Sequence, residues 1–266
     1  MKQRLMRYFF AQRKGSAEAV SLPARLIGVL TVFLLVALVF TFAFNRLQYG
    51  WHWGEVYTYH RKFVQGWLVT LFISAAALVL SLIIGLFFAL AQRCRFLPLR
   101  YLGKFYVETI RGTPLLVQIL VFFYVVADAF GIGNRYTVGV LTLALFAGAY
   151  ISEIIRAGIE SVGESQLESA RAIGLTQRQI YCYVVFPQVV RRVLPPLAGQ
   201  FASLIKDSSL LSIIAVSEFT LNAQEVNSYT FSTLESYLPL AFGYLLLTLP
   251  ISLFSRYLEQ RYHYAT

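Results

Sequence analysis

The chain has 266 residues, of which 58% are hydrophobic and only 14% are charged, and its mean hydropathy is +0.62. An average soluble domain carries about 25% charged residues, so this composition excludes an ordinary water-exposed globular protein. The net charge of +10 does not indicate nucleic-acid binding, because the basic residues lie between apolar runs and not along one amphipathic face. We therefore predict an all-α polytopic membrane protein that contacts membrane lipid and no nucleic acid.

The apolar runs predict about six transmembrane helices, since about 20 apolar residues cross the hydrocarbon core as a helix. The first run, residues 26–44, is free of charge and follows a basic segment, residues 1–25. Because it has no small-residue cleavage site, we expect a retained span and not a signal peptide. Four further spans are predicted, at residues 64–91, 106–130, 136–157 and 238–254. A sixth, beginning at residue 189, is interrupted by Pro195-Pro196.

Small residues recur at every fourth position of the second span. They are Ala77, Ser81, Gly85 and Ala89. Small side chains at this spacing let two membrane helices approach closely, so we expect this stripe to be a packing face.

The distribution of basic residues predicts the orientation in the membrane, because Lys and Arg prefer the cytoplasmic side. Nearly all of them lie in the N-terminal segment, in a predicted basic loop at residues 93–104, in residues 156–192 and in the C-terminal segment. Between Lys206 and Arg256 there is neither Lys nor Arg. We therefore expect both termini and the polar segment 159–187 to be cytoplasmic, and the segment after Lys206 to be external.

The polar segment 159–187 is rich in helix-forming residues. Ser165 followed by Glu168 fits a capping box, so a helix is predicted to begin there and to end before Gly174. A second short helix is predicted to begin at Thr176. From composition alone, the segment is either an ordinary connecting loop or a docking surface for a partner.

The detailed pattern of this segment resembles the EAA motif of bacterial ATP-binding-cassette (ABC) importer permeases. An acidic residue and two small residues precede a glycine, and an aliphatic-x-aliphatic-Pro sequence closes the motif; Ser169 replaces the usual alanine and Phe186 the usual leucine. The resemblance implies a helix-turn-helix that seats in a groove of an ATPase subunit, where arginines pair with acids at the rim. The expected coupling residues are Glu168, Ser169, Ala170, Arg171, Gly174, Arg178 and Pro187.

Residues 108–118 resemble the signature of the polar amino acid (histidine/glutamine-type) branch of these permeases. With residues 150–156 and 206–210, the resemblance covers about residues 63–262, so residues 26–44 are an addition to a five-span permease domain. It implies import of polar amino acids across the bacterial cytoplasmic (inner) membrane by alternating access. The expected partners are ABC ATPase subunits, a second permease (an identical copy or a sister) and a soluble amino acid-binding protein.

Polar groups inside apolar runs are candidates for the substrate pathway, because they are costly in lipid and usually paired or facing a cavity. Gln118 lies near the middle of its span and either contacts substrate or forms an interhelical hydrogen bond. Glu153 either lines the pathway or forms a structural pair with Arg156. Arg111 either meets an anionic group or has a structural role near the cytoplasm.

Lys206-Asp207-Ser208 follows Pro195-Pro196, where the helix passes the bilayer midplane. Broken helices expose backbone groups, which transporters tolerate where these groups line a cavity. Asp207 either faces the α-amino group of a substrate or caps the next helix and pairs with Lys206. Ser208 belongs to the same candidate pathway.

Enzyme signatures are absent from the sequence. There is no GxxxxGK[ST] phosphate loop, no HExxH and no GxSxG, so we expect no catalytic residue and no metal site. The resemblance implies that ATP and Mg²⁺ are bound by the partner ATPase, with no cofactor in this chain. Two alternatives are an ion-coupled secondary transporter of amino acids, which would keep Glu153 and Asp207, and a membrane scaffold without transport activity.

Overall fold

The computed structural model describes residues 13–14, 17–18, 22–46 and 49–262. Two antiparallel strands of two residues each, β1 (Arg13–Lys14) and β2 (Ala17–Glu18), pair near the N-terminus. All other regular structure in the described residues is helical, which confirms the predicted fold class. The chain divides into two compact units, Met1–Trp51 and His52–Thr266.

The first unit contains α1 (Leu22–Arg46), which covers the predicted first span. Its most apolar stretch has a mean hydropathy of 2.8, and large side chains such as Phe33 and Phe42 are exposed. An apolar helix without a buried face is suited to a lipid environment.

The second unit contains ten helices in its described part. They are α2 (Trp53–Thr58), α3 (His60–Ala91), α4 (Leu97–Gly112), α5 (Leu115–Val121), α6 (Arg135–Glu160), α7 (Glu164–Ala172), α8 (Gln177–Gln179), α9 (Phe186–Asp207), α10 (Phe219–Thr230) and α11 (Thr233–Tyr262). One π-helical segment, Phe122–Ala127, extends α5, and another, Ile180–Val185, joins α8 to α9. A 3₁₀ helix, Ser208–Ile214, follows α9.

Four of the described helices are long and apolar enough to cross a membrane: α1, α3, α6 and α11. A fifth span exists if α4 and the extended α5 are counted as one broken span. The predicted count of six is therefore not confirmed. Helix α9, expected as the interrupted span, carries Arg191, Arg192 and two internal prolines, which lower its apolar character.

The predicted third span, residues 106–130, is wrong as a single helix, because α4 and the extended α5 meet at an angle of 110°. Thr113 is extended (φ −121°, ψ 145°) between them. Pro114 disfavours helical backbone at the residue before it and cannot donate a backbone hydrogen bond, which explains the break. Helix α4 begins at Leu97, so most of the expected basic loop is helical.

The predicted small-residue stripe is confirmed as the packing face of α3, and α6 covers it. Ala77, Ser81 and Ala89 are fully buried. A Cβ atom on Gly85 would lie 2.5 Å from the Ile151 side chain of α6. This approach is closer than any side chain at Gly85 would allow, so the glycine sets the distance between the two helices.

The segment between α9 and α11, predicted as an external loop, is folded around the helix α10. The carboxylate of Glu218 is fully buried and caps this helix, accepting hydrogen bonds from the backbone N–H groups of Thr220 and Leu221 at 2.8 Å each. The Tyr244 hydroxyl donates to it from α11 at 2.9 Å. Lys62 of α3 forms an ion pair with Glu225 of α10. These contacts hold the segment against two long helices.

Candidate coupling segment and substrate pathway

The coupling segment, residues 159–187, folds as a helix-turn-helix with Gly174 at its turn. Gly174 has a φ of +80°, and its N–H donates to the Arg171 carbonyl at 2.9 Å. The Leu175 N–H donates to the Ala170 carbonyl at 3.1 Å. A left-handed glycine with these two bonds is a standard helix C-terminus. The predicted end of the helix before Gly174 is confirmed.

The predicted capping box at Ser165 and Glu168 is wrong. Helix α7 begins at Glu164, after an extended Gly163 that provides no side-chain cap, so Ser165 already lies inside the helix. The capping box of this segment is at α8, where the backbone N–H of Thr176 donates to Gln179 Oε1 at 2.8 Å and the Gln179 N–H donates to Thr176 Oγ1 at 3.4 Å. The predicted start of the second helix at Thr176 is confirmed.

Most of the expected coupling residues are exposed on this segment, whereas Ala170 is not. Ala170 is 5% exposed and packs with Val162, Ile180 and Val185. It therefore joins α7 to the chain leading into α9 and is not presented to a partner, contrary to expectation. The exposed members are Glu168, Ser169, Arg171, Gly174, Arg178 and Pro187.

The coupling segment is attached directly to the long helices. Helix α8 continues through the π-helical segment into α9, with Pro187 in the first turn of α9, where proline is tolerated. The Gln188 side chain of α9 donates to Gln166 Oε1 of α7 at 2.9 Å. The Arg192 guanidinium donates to the Ser161 carbonyl at the end of α6. A displacement of α7 therefore acts on α9 and on the end of α6.

Glu153 is enclosed by two arginines. The Arg156 guanidinium binds both of its oxygens, with Nε–Oε1 and Nη2–Oε2 distances of 2.9 Å. Arg111 Nη1 lies 3.1 Å from Glu153 Oε2, and its guanidinium lies 5.3 Å from the centre of the Tyr150 ring. The predicted Glu153–Arg156 pair is confirmed, and it favours the structural alternative for Glu153 and Arg111.

Gln118 closes the break between α4 and α5. Its Nε2 donates to the carbonyls of Ile110 and Thr113 at 2.7 and 3.1 Å, and it lies 2.8 Å from Thr113 Oγ1. The bond to Ile110 joins α5 to α4, which is the interhelical hydrogen bond expected as one of the two alternatives for Gln118. Its Oε1 is buried and has no hydrogen-bond partner within the described residues. One acceptor therefore stays free in a side chain that contacts the exposed residue Thr113.

Asp207 ends α9 as a half-buried carboxylate. Its side chain does not cap the following 3₁₀ helix, and within residues 49–262 it forms no ion pair, with Lys206 or with another cation. The alternative of a cap paired with Lys206 is therefore wrong. Ser208 is fully buried, and its hydroxyl donates to the Ile205 carbonyl at 2.8 Å, which gives it a structural role in the helix.

Sequence neighbours of Gln118 and Asp207 pack in the same apolar core. Leu115 and Ile119 of α5 pack in one cluster with Leu204 and Leu211, on either side of Asp207. The elements that carry Gln118 and Asp207 thus share one apolar cluster with α3 and α6.

Sequence reasoning missed a basic cavity of about 590 Å³ among α3, α4 and α6. It is lined in part by Arg100 and Lys104, which were expected in a loop. Their spacing of four residues, after Pro98 in the first turn of a helix, is the sequence signal that indicates one helical face.

Comparison with known proteins connects this geometry to transport. Residues 81–264 match the family described as "Binding-protein-dependent transport system inner membrane component". The chain is 37% identical over 199 residues to the "Probable glutamine ABC transporter permease protein GlnM" of Bacillus subtilis, covering 75% of this chain and 92% of that protein. It is 38% identical to the "L-cystine transport system permease protein TcyB" of Bacillus subtilis, covering 72% and 82%.

A solved structure shares the fold. It is the "Crystal structure of an amino acid ABC transporter with histidines", and it matches with a TM-score of 0.74 and 34% identity over 80% of this chain and 100% of that chain.

Proposed function

Because the chain belongs to the binding-protein-dependent transport family of ABC importer permeases, we propose that it imports polar amino acids by alternating access. It is a multi-pass inner membrane protein and a transport subunit, and the family's nucleotide-binding site lies in a partner ATPase. One relative is named as a probable glutamine permease and another as an L-cystine permease, at 37% and 38% identity, so they support an amino acid substrate without selecting one.

The observation that carries this proposal is the coupling segment. Its exposed face on α7 offers Glu168 and Arg171 to a partner, and Arg178 follows on α8. Its opposite side packs onto the chain that becomes α9. An ATPase that moves α7 therefore moves α9 through covalent continuity and the buried Ala170 contact.

The complete importer contains two permeases, identical or sister subunits, with two ATPases on the cytoplasmic side and a soluble binding protein outside. Both termini are cytoplasmic in this arrangement, because the basic residues concentrate on the side of the coupling segment. ATP and Mg²⁺ act only in the ATPases, and this chain holds no cofactor.

Within the permease, Gln118 and Asp207 are the proposed substrate-pathway residues. The free acceptor of Gln118 and the unpaired carboxylate of Asp207 both suit the ammonium group of an amino acid. Glu153 and Arg111 instead hold α4 to α6 through their ion pair.

The test of this proposal is the variant Glu168→Gln in proteoliposomes with the ATPase and binding protein of the same importer. We expect uptake to fall at least about tenfold, because a charge-assisted contact with the ATPase is lost. Insertion and thermal stability should not change, because Glu168 is exposed and makes no ion pair within the described residues.

The matched control is Glu259→Gln, which removes an exposed carboxylate on α11, outside the coupling segment. Wild-type uptake by Glu168→Gln would contradict the proposed role of α7. The ion-coupled alternative is not favoured by the comparisons, and accumulation of substrate by this chain alone under an ion gradient would restore it.

A further inference from the structure

The basic cavity lies where α6 leads into the coupling segment, and it is separate from the proposed substrate pathway. Five cationic and three acidic side chains line its 590 Å³, a surplus of two positive charges. The cationic members are Arg93, Arg100, Lys104, Arg111 and Arg156. Such a surplus of positive charge in a cavity between membrane helices favours the binding of an anion.

Three of these cations share ion pairs with only two glutamates, and the other two cations form no ion pair. Arg93 lies 3.7 Å from Glu160, and Arg111 and Arg156 both bind Glu153. Within residues 49–262, the side chains of Arg100 and Lys104 form no hydrogen bond and no ion pair.

Arg100 and Lys104 are one turn apart on α4, so both side chains project from one face of the helix. Glu108, one turn further, is the remaining glutamate of the lining and also forms no ion pair. An anion is therefore expected at the Arg100 end of this face, away from Glu108. Two donors at this spacing suit the several oxygens of a phosphate group.

The same helix carries an exposed apolar flank beside its cations. Tyr101 and Phe105, each one residue after a cation, are 64% and 68% exposed, and Leu97 is 57% exposed. Successive residues are about 100° apart around a helix, so this flank adjoins the cationic face. A phosphate group attached to acyl chains satisfies both surfaces, whereas a free phosphate ion satisfies only the first.

We propose that this cavity binds the phosphate group of an anionic phospholipid, with Arg100 and Lys104 as its ligands and the acyl chains against Tyr101 and Phe105. The inference goes beyond the proposed transport function, since it requires neither the ATPase nor a substrate. The bound lipid would lie beside the end of α6, next to the coupling segment.

The test uses the purified full-length chain in a neutral detergent. Dihexanoylphosphatidylglycerol, dihexanoylphosphatidylcholine and inorganic phosphate are titrated separately, and bound molecules are counted by native mass spectrometry. We expect saturable binding of the phosphatidylglycerol. The double variant R100Q/K104Q should bind it about 30-fold more weakly, since two cationic contacts are lost.

The control is R95Q/R256Q, which removes the same charge from two exposed arginines outside the cavity and should bind like the wild type. Equal loss in the control, or no saturable binding by the wild type, would overturn the site. Equal binding of inorganic phosphate, lost in R100Q/K104Q, would overturn the lipid source and keep a phosphate site. If the double variant does not fold, R100Q alone is expected to show about a fivefold loss, and unchanged binding would overturn the proposal.

Discussion

Gly174→Ala should loosen the turn of the coupling segment without disturbing anything around it. Gly174 has a φ of +80°, and no atom lies within 4 Å of a Cβ built there. The cost is therefore that of a left-handed backbone at a residue with a side chain, about 1–2 kcal/mol. If this energy is lost from the closed turn, the opening equilibrium of residues 173–176 rises about 5- to 30-fold.

Amide hydrogen exchange measures this opening directly. The Leu175 N–H is held by the Ala170 carbonyl in the closed turn, so its exchange should accelerate by that factor in Gly174→Ala. The matched control is Gly199→Ala in α9, where a Cβ also meets no atom within 4 Å and the backbone is helical. There alanine should be neutral or stabilising by about 0.5–1 kcal/mol. Unchanged exchange at Leu175 in Gly174→Ala, or equal acceleration in Gly199→Ala, would refute the reasoning.

Two further substitutions separate packing from function. Gly148→Val adds a side chain whose Cβ alone would lie 2.8 Å from Ile84 Cγ2, so the α3–α6 interface should lose about 1–3 kcal/mol of stability. This loss should lower the thermal midpoint in detergent. The control Gly28→Val, in open space on α1, should leave the midpoint unchanged. Asp207→Asn removes a carboxylate that forms no ion pair within the described residues, so the thermal midpoint should not change. Uptake should fall about tenfold or more, because a charge-assisted contact with the substrate is lost. Lys206→Gln is the control. Unimpaired uptake by Asp207→Asn would contradict the proposed role of Asp207 in the substrate pathway.

Features encoded in short stretches of sequence were predictable. The stripe of Ala77, Ser81 and Gly85 predicts its own packing face because helical spacing alone places the three together. The Glu153–Arg156 pair is likewise local, three residues apart on one helix. Gly174 ends α7 because left-handed backbone favours glycine there.

Features that depend on competition between local signals were not predictable. The hydropathy pattern indicates one apolar run at residues 106–130, although the helix breaks at Pro114 and the chain bends there by 110°. Capping-box patterns occur at both Ser165 and Thr176, and only the backbone decides which one precedes a helix. Buried Glu218 is hydrogen-bonded by Tyr244 of α11, 26 residues further along the chain, and no short sequence pattern reveals this contact.

Helix α9 connects the two proposed functional regions of the permease. Its 22 residues extend about 33 Å at 1.5 Å per residue, with the coupling segment at one end and Asp207 at the other. Pro195 and Pro196 remove backbone hydrogen bonds in its middle, which makes this the position where the helix bends most easily. We therefore expect a push on α7 to reach Asp207 as a change of tilt and bend in one helix. In the proposed importer, this would couple ATPase closure to exposure of the Asp207 carboxylate.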